Sequence, residues 1–307
     1  MDHITVRHIV EAVSGTLLCG DADTELKHIS IDSRSMRGAD LFVPLIGEKS
    51  DAHRFLVQAM DNGAAAALTS EHEAAPEAFT APDPGERYET GIADDRTLLR
   101  ARLSIPLVGI TGSVGKTTTR EMVAAALSAK YKTFKTPANH NSQIGVPLTI
   151  SEISENDEIG VLELGMSEPG EMAVIAEIAA VDSAVMTNIG VTHIENLGSR
   201  ENILKEKLHI QDGMKAGGIL FVNGDNDMLS TVHAKAGCHT VRYGLGADND
   251  YRAEDLSYPD GISVLYDGTR RGARPGEADC YGRAQCHECA GCLAVADAYG
   301  VPLADAA

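Results

Sequence analysis

Residues 105–130 read IPLVGITGSVGKTTTREMVAAALSAK. An apolar run (IPLVGI) meets a glycine-bearing turn (TGSVG), and the turn opens into KTTTREMVAAALSAK, whose apolar residues share one helical face. The reading is strand, tight turn, helix. In such a junction the backbone N–H groups of Thr111, Gly112, Ser113 and Gly115 and the helix N-terminus can wrap an anion. Lys116 then reaches the outer phosphates, and the Thr117 hydroxyl, followed by Thr118, meets Mg²⁺. Ile110 stands at the first glycine position of G-x-x-x-x-G-K-[ST], so the signal rests on context as well as spelling. The competing reading is a glycine-rich turn with an incidental lysine.

The alternation continues downstream. GVLELGM precedes a helix expected near 169–179, SAVMTNIG precedes another near 200–214, and GGILFVN follows it. Apolar strands alternating with helices predict α/β architecture, a parallel sheet covered on both faces. Upstream, ITVRHIVEAVSG has helical spacing, ISIDSRSMRGADLFVPL has two short apolar runs around a polar turn, and HRFLVQAMDNGAAAALTS reads as helix, glycine stop, strand. Between them, residues 71–100 hold eight acidic residues against three Arg, with Pro76, Pro82 and Pro84 breaking any helix. The expected organisation is a small N-terminal α/β domain over 1–82, a linker over 83–104 and a P-loop α/β domain over 105–307.

The chain has 307 residues, 26 Lys plus Arg and 45 Asp plus Glu, a formal charge of −19. That balance repels phosphate backbones and anionic lipid at long range, so nucleic-acid binding is not expected beyond one local anion pocket. No apolar run approaches the ~18 residues of a membrane span, and MDHITVRHIVEAVSG lacks the order of a signal peptide. A cytoplasmic protein without membrane insertion is expected.

Glu163 ends the apolar strand GVLEL and His193 follows the strand SAVMTNIG. Both are expected at the carboxyl edge of the sheet, where ligands of open α/β folds collect and where the two could share a metal. The alternative is a pair of strand-end polar groups satisfied by hydrogen bonds. Lys207 lies in the charge-rich ENILKEKLHI, where a lysine is usually solvated.

TGSVGKTTTREM, NHNSQIGVPLT at 139–149, LELGMSEPGE at 162–171 and TNIGVTHIENLGSRENILKEK at 187–207 resemble the successive motifs of the Mur ligase family. IDSRSMRGADLFVPLIGEKSDAHRF resembles the family's uridine-nucleotide domain. The resemblance implies a uridine-nucleotide domain followed by a central P-loop ATPase domain. It implies an ATP- and Mg²⁺-dependent amide ligase of peptidoglycan precursor synthesis, in which a UDP-N-acetylmuramoyl-peptide carboxylate becomes an acyl phosphate that an amine attacks. The motif wording points to D-Ala-D-Ala as that amine, the ligase adding the third peptide residue being the alternative. It further implies that Lys116 is catalytic and that Thr111, Gly112, Ser113, Gly115, Lys116, Thr117, Thr118 and Asn188 meet ATP. Thr117, Glu163, His193 and Lys207 would serve Mg²⁺, with His193 and Lys207 also catalytic and Lys207 acting as a carbamate. Ser33, Arg34, Asn139 and Asn141 would meet the UDP substrate. Two readings from other classes are a non-catalytic nucleotide- or UDP-sugar-binding fragment and an unrelated P-loop kinase or ATPase.

Ala52 stands where the family has Gly in Asp-Gly-His. The resemblance also implies a third domain beyond residue 307, without which the ligation is not expected to complete. CYGRAQCHECAGC falls where the family has Gly-Arg-His-Asn and an Asn-Ala-Leu-Ala-Ala helix. Read literally, Cys286, Cys289, Cys292 and His287, near Cys280, offer zinc or iron–sulfur ligands. Read one base later, codons for Ala284 to Gly291 can spell His-Asn-Val-Met-Asn-Ala-Leu-Ala, so a local frame slip would account for the cysteines without a metal.

Overall fold

The computed structural model describes residues 3–13, 15–47, 50–69, 89–91, 100, 103–254, 262–267, 276–279 and 283–306. The chain divides into two compact units, Met1–Leu103 with Ile150–Glu155, and Ser104–Thr149 with Asn156–Ala307. Most of the expected linker at 83–104 lies outside the described residues.

In the first unit the helical spacing of ITVRHIVEAVSG becomes the helix Val6–Ala12, which buries Val6 and Ile9. The two apolar runs around the polar turn become strands His28–Ser30 and Asp40–Phe42. The helix Leu56–Asp61 stops before Gly63, and strand Ala64–Thr69 follows. These strands join Leu17–Cys19 and Glu89–Gly91 in one sheet, ordered 17–19, 89–91, 64–69, 40–42, 28–30. Leu41, Ala66 and Leu68 pack with Ile4 and Ile9 in one cluster, and Phe42, Ala59 and Ala67 in another. Ala52 opens a 3-10 turn in which Asp51 accepts from the His53 N–H, a conformation that does not require glycine.

The second unit is built on seven parallel strands, ordered Thr133–Lys135, Ile159–Glu163, Leu107–Thr111, Ser183–Met186, Ile219–Asn223, His239–Gly244 and Tyr251–Glu254. Antiparallel strands Ile262–Asp267 and Gly276–Asp279 extend the sheet. Leu107–Thr111, first in sequence, lies between Ile159–Glu163 and Ser183–Met186, so the strand order reverses there and opens a crevice at the carboxyl ends. The three strands at this reversal, Ile159–Glu163, Leu107–Thr111 and Ser183–Met186, are buried without alternation, as both-face coverage demands. Helices Lys116–Ser128 and Arg283–Ala298 share one core cluster, in which Val123, Leu127 and Leu293 pack with Val108, Ile110, Val185 and Phe221. The helices expected near 169–179 and 200–214 run over Glu171–Ala179 and Arg200–Leu208, the latter tightening into a 3-10 turn at His209–Gln211. No described helix is long and apolar enough to cross a membrane.

Candidate functional site

The turn after Leu107–Thr111 sits at this crevice. Gly115 takes φ +84°, the left-handed conformation glycine adopts without penalty, and so starts helix Lys116–Ser128 directly after the strand. The loop is held from the next strand. The Asn188 carboxamide oxygen accepts from the N–H groups of Ser113 (3.1 Å) and Val114 (2.9 Å), and the Thr187 hydroxyl donates to the Val114 carbonyl (2.6 Å). Asn188, expected to meet ATP, braces the loop through its carboxamide oxygen, and its backbone carbonyl also accepts from Ser113 N–H at 3.0 Å. Gly190 N–H donates to the Ser113 hydroxyl (2.9 Å), and the buried Thr111 hydroxyl has no hydrogen-bond partner among the described residues. Thr118 is exposed on the first helical turn.

Lys116 Nζ donates to the Gly112 carbonyl at 3.0 Å, curling over the loop. Burial pulls its ammonium below the ordinary lysine range, and Glu163 opposes that shift. Glu163, 3% exposed, is the last residue of a wholly buried strand. Its carboxylate accepts from the Thr117 hydroxyl (3.0 Å), Asn141 Nδ2 (2.8 Å) and Arg120 Nη1 (3.3 Å). Arg120 also donates to the Ala138 carbonyl at 2.7 Å, so the loop carrying Asn139 and Asn141 is tied to the same carboxylate. Arg120 was not among the residues expected at the site; its spacing of three from Thr117 on one helix was the available signal. Asn139 is exposed, and its carbonyl accepts from Asn141 N–H.

Lys207 is not solvated. It is 1% exposed, and burial, reinforced by the charge of Lys116 and opposed by Glu206, lowers its pKa to about 7. The charge-rich composition of its helix misled because Lys207 and Glu206 lie on the covered side; the Glu206 carboxylate accepts from Met172 N–H at 3.0 Å. His193 was expected just past its strand, at the carboxyl edge of the sheet. The strand ends at Met186, and His193 caps the short helix Ile194–Leu197 with φ +65°. None of the described hydrogen bonds or ion pairs links it to Glu163.

The oxygen pair Thr117–Glu163 suits a hard cation such as Mg²⁺, whereas Lys207 as an ammonium does not and would fit only as an anionic carbamate. Among the described residues no three His, Cys, Asp or Glu side chains gather into a metal site. Cys289 and Cys292 are instead buried in the core, with the Cys292 thiol donating to the Met122 carbonyl at 3.1 Å. His287 Nε2 lies 2.9 Å from Asp225 Oδ2. Cys280 and the Cys286 side chain lie outside the described residues.

In the first unit Ser33 is buried and donates to Gln58 Oε1 at 3.1 Å. Arg34, expected to grip an anion, lays its fork on both Asp32 oxygens at 2.9 Å, and hydrogen bonding from Arg34 holds the Asp32 carboxyl down at about 2.

Residues 110–274 match the Mur ligase middle domain, and residues 25–100 match the Mur ligase family, catalytic domain. The UDP-N-acetylmuramoyl-tripeptide--D-alanyl-D-alanine ligase of Bacillus subtilis (strain 168) is 39% identical over 82% of this chain and 55% of its own length. MurF from Acinetobacter baumannii superposes with a TM-score of 0.83 at 26% identity, covering 98% of this chain and 66% of that one. The MurF ligase of Thermotoga maritima in complex with ADP superposes with a TM-score of 0.74 at 28% identity, covering 92% of this chain and 66% of that one. The chain thus spans about half the length of the curated relatives it matches. The braced loop at the strand-order reversal and these matches lead to one conclusion: the chain belongs to the Mur ligase family.

Proposed function

We propose that this chain forms the nucleotide- and UDP-substrate-binding part of a cytoplasmic ATP-dependent ligase that joins D-Ala-D-Ala to a UDP-N-acetylmuramoyl-tripeptide. The observation that carries the reading is the loop Thr111–Thr118, with Lys116 over it and the Thr117–Glu163 pair at its helical end, in a chain 39% identical to a ligase of that name. A carboxylate and a polyphosphate repel each other, so bringing them together requires cationic groups between them. Lys116 supplies one, and the loop N–H groups and helix N-terminus supply partial positive charge. Mg²⁺, held by Thr117 and Glu163, would neutralise the phosphate oxygens further. Arg120 and Asn141 keep the Glu163 carboxylate oriented and tie it to the Asn139–Asn141 loop, which we assign to the substrate. Ser33 and Arg34 are assigned to the uridine nucleotide. Lys207, half-deprotonated near neutral pH, has the free amine that attacks CO₂, forming an N–C bond and releasing a proton, and the resulting carbamate would join the metal site.

The test is isothermal titration of the chain with ADP and with UDP in Mg²⁺. Both are expected to bind, and Lys116→Ala is expected to weaken ADP by at least about 100-fold, the loss of a charged partner at a phosphate. UDP binding should be unaffected by that substitution. An unchanged ADP affinity in Lys116→Ala would overturn the assignment of the loop. Phosphate release on adding ATP, the UDP-tripeptide and D-Ala-D-Ala separates turnover from binding alone.

A further inference from the structure

A cavity of about 280 Å³ adjoins the phosphate loop, lined by Val114, Gly115, Asn188, Tyr243 and Glu288 among others. Helix Arg283–Ala298 delivers Glu288 to it. One turn further on, Gly291 lies so close to the Tyr243 ring that a Cβ there would stand 2.9 Å from a ring carbon. Tyr243 is itself fixed by its hydroxyl, which donates to the Met186 carbonyl at 3.0 Å. The helix therefore sits flush on the sheet, and the Glu288 carboxylate comes to rest where a side chain on Gly115 would begin.

Among the charged groups around this carboxylate, His287 offsets it in part. Lys116, the cation of the loop, is turned to the Gly112 carbonyl and feels Glu163. On the helix the neighbour is His287, whose Nε2 is already 2.9 Å from Asp225. Asp225 in turn accepts from the Leu245 and Gly246 N–H groups and from Asn249. From the sheet, buried Tyr243 lines the same cavity, and the nearby Glu288 charge adds to the cost of ionising it, while burial pushes the Glu288 carboxyl itself up and His287 opposes that shift. A half-buried carboxylate thus stands against Gly115, in the loop assigned above to the phosphates.

We propose that Glu288 is a negative determinant of polyphosphate binding: its carboxylate repels the phosphates that the loop Thr111–Thr118 attracts. The proposal rests on the assignment of that loop to a nucleotide. Charge repulsion over a few ångströms in a partly buried site is weakly screened, so removing the charge while keeping the shape should tighten phosphate binding by about tenfold.

The test is titration of the native chain, Glu288→Gln and Glu288→Asn with inorganic pyrophosphate, ADP and adenosine in Mg²⁺, at about 50 and about 500 mM salt, a range that shortens the Debye length several-fold. Both variants are expected to bind pyrophosphate and ADP about tenfold tighter than the native chain, with adenosine unchanged and the gap narrowing at high salt. Equal pyrophosphate affinity in native and variant chains would overturn the proposal. So would weaker ADP binding in both variants, which would make the carboxylate an acceptor for the base or a ligand for the cation. If neither pyrophosphate nor ADP binds any of the three chains, the phosphate-loop assignment itself fails; native binding that Lys116→Ala abolishes but Glu288→Gln does not improve sinks only the role of Glu288.

Discussion

Lys207 shows how far a residue's surroundings can override its type. Its pKa falls from 10.5 to about 7 in the folded chain. Between those values the unfolded chain keeps a proton that the folded chain has released, so stability rises with pH across that window and is lowest below about pH 7. In CO₂-free buffer, Lys207→Met is therefore expected to unfold at higher denaturant than the native chain at pH 7, by on the order of 2 kcal/mol, with the advantage shrinking towards pH 10. Denaturant midpoints at the two pH values check this; an advantage that does not depend on pH would mean that the ammonium is not the source of strain. Lys116 and Thr117 were legible in the sequence because their chemistry is bound to a local pattern of strand, turn and helix. The burial of Lys207 and the role of Arg120 were not, because both depend on what packs over them from distant segments. Asn188 was read as a nucleotide contact and its bracing role was not legible, since the sequence does not say which side-chain atom turns towards Ser113 and Val114.

At the scale of elements, apolar patterning carried most of the information. Strands Leu107–Thr111, Ile159–Glu163 and Ile219–Asn223 arise from unbroken apolar runs, and the helix Lys116–Ser128 arises from one apolar face. Helix Arg283–Ala298 was obscured because its cysteines suggest ligands, whereas Cys289 and Cys292 behave as small apolar side chains packed in a core. The double substitution Cys289→Ala, Cys292→Ala is expected to cost about 1 to 3 kcal/mol through lost packing, and a strong chelator should leave the native melting temperature unchanged. Calorimetry with and without chelator tests this. A chelator-induced fall would restore the metal reading of the cysteine cluster. The order of strands was less legible, since the apolar runs say which segments are buried but not that the first strand lies between the third and fourth.

For the whole molecule the charge of −19 dominates the long-range approach of any polyphosphate. Net repulsion slows that approach at low ionic strength, so the association rate of a fluorescent ADP analogue is expected to rise about two- to fivefold between about 20 and 200 mM salt. Stopped-flow mixing measures it, and a falling rate would mean that a local positive field around Lys116 steers the ligand in despite the total. The sheet order also has a consequence in time. Leu107–Thr111 needs Ile159–Glu163 on one side and Ser183–Met186 on the other, and its loop is tied down by Thr187 and Asn188. A chain emerging from the ribosome makes residues 107–118 early yet cannot secure them until some seventy residues later, at Thr187 and Asn188, have followed. The bracing of this loop thus waits on downstream synthesis, and until then the nascent loop has its future neighbours only in prospect.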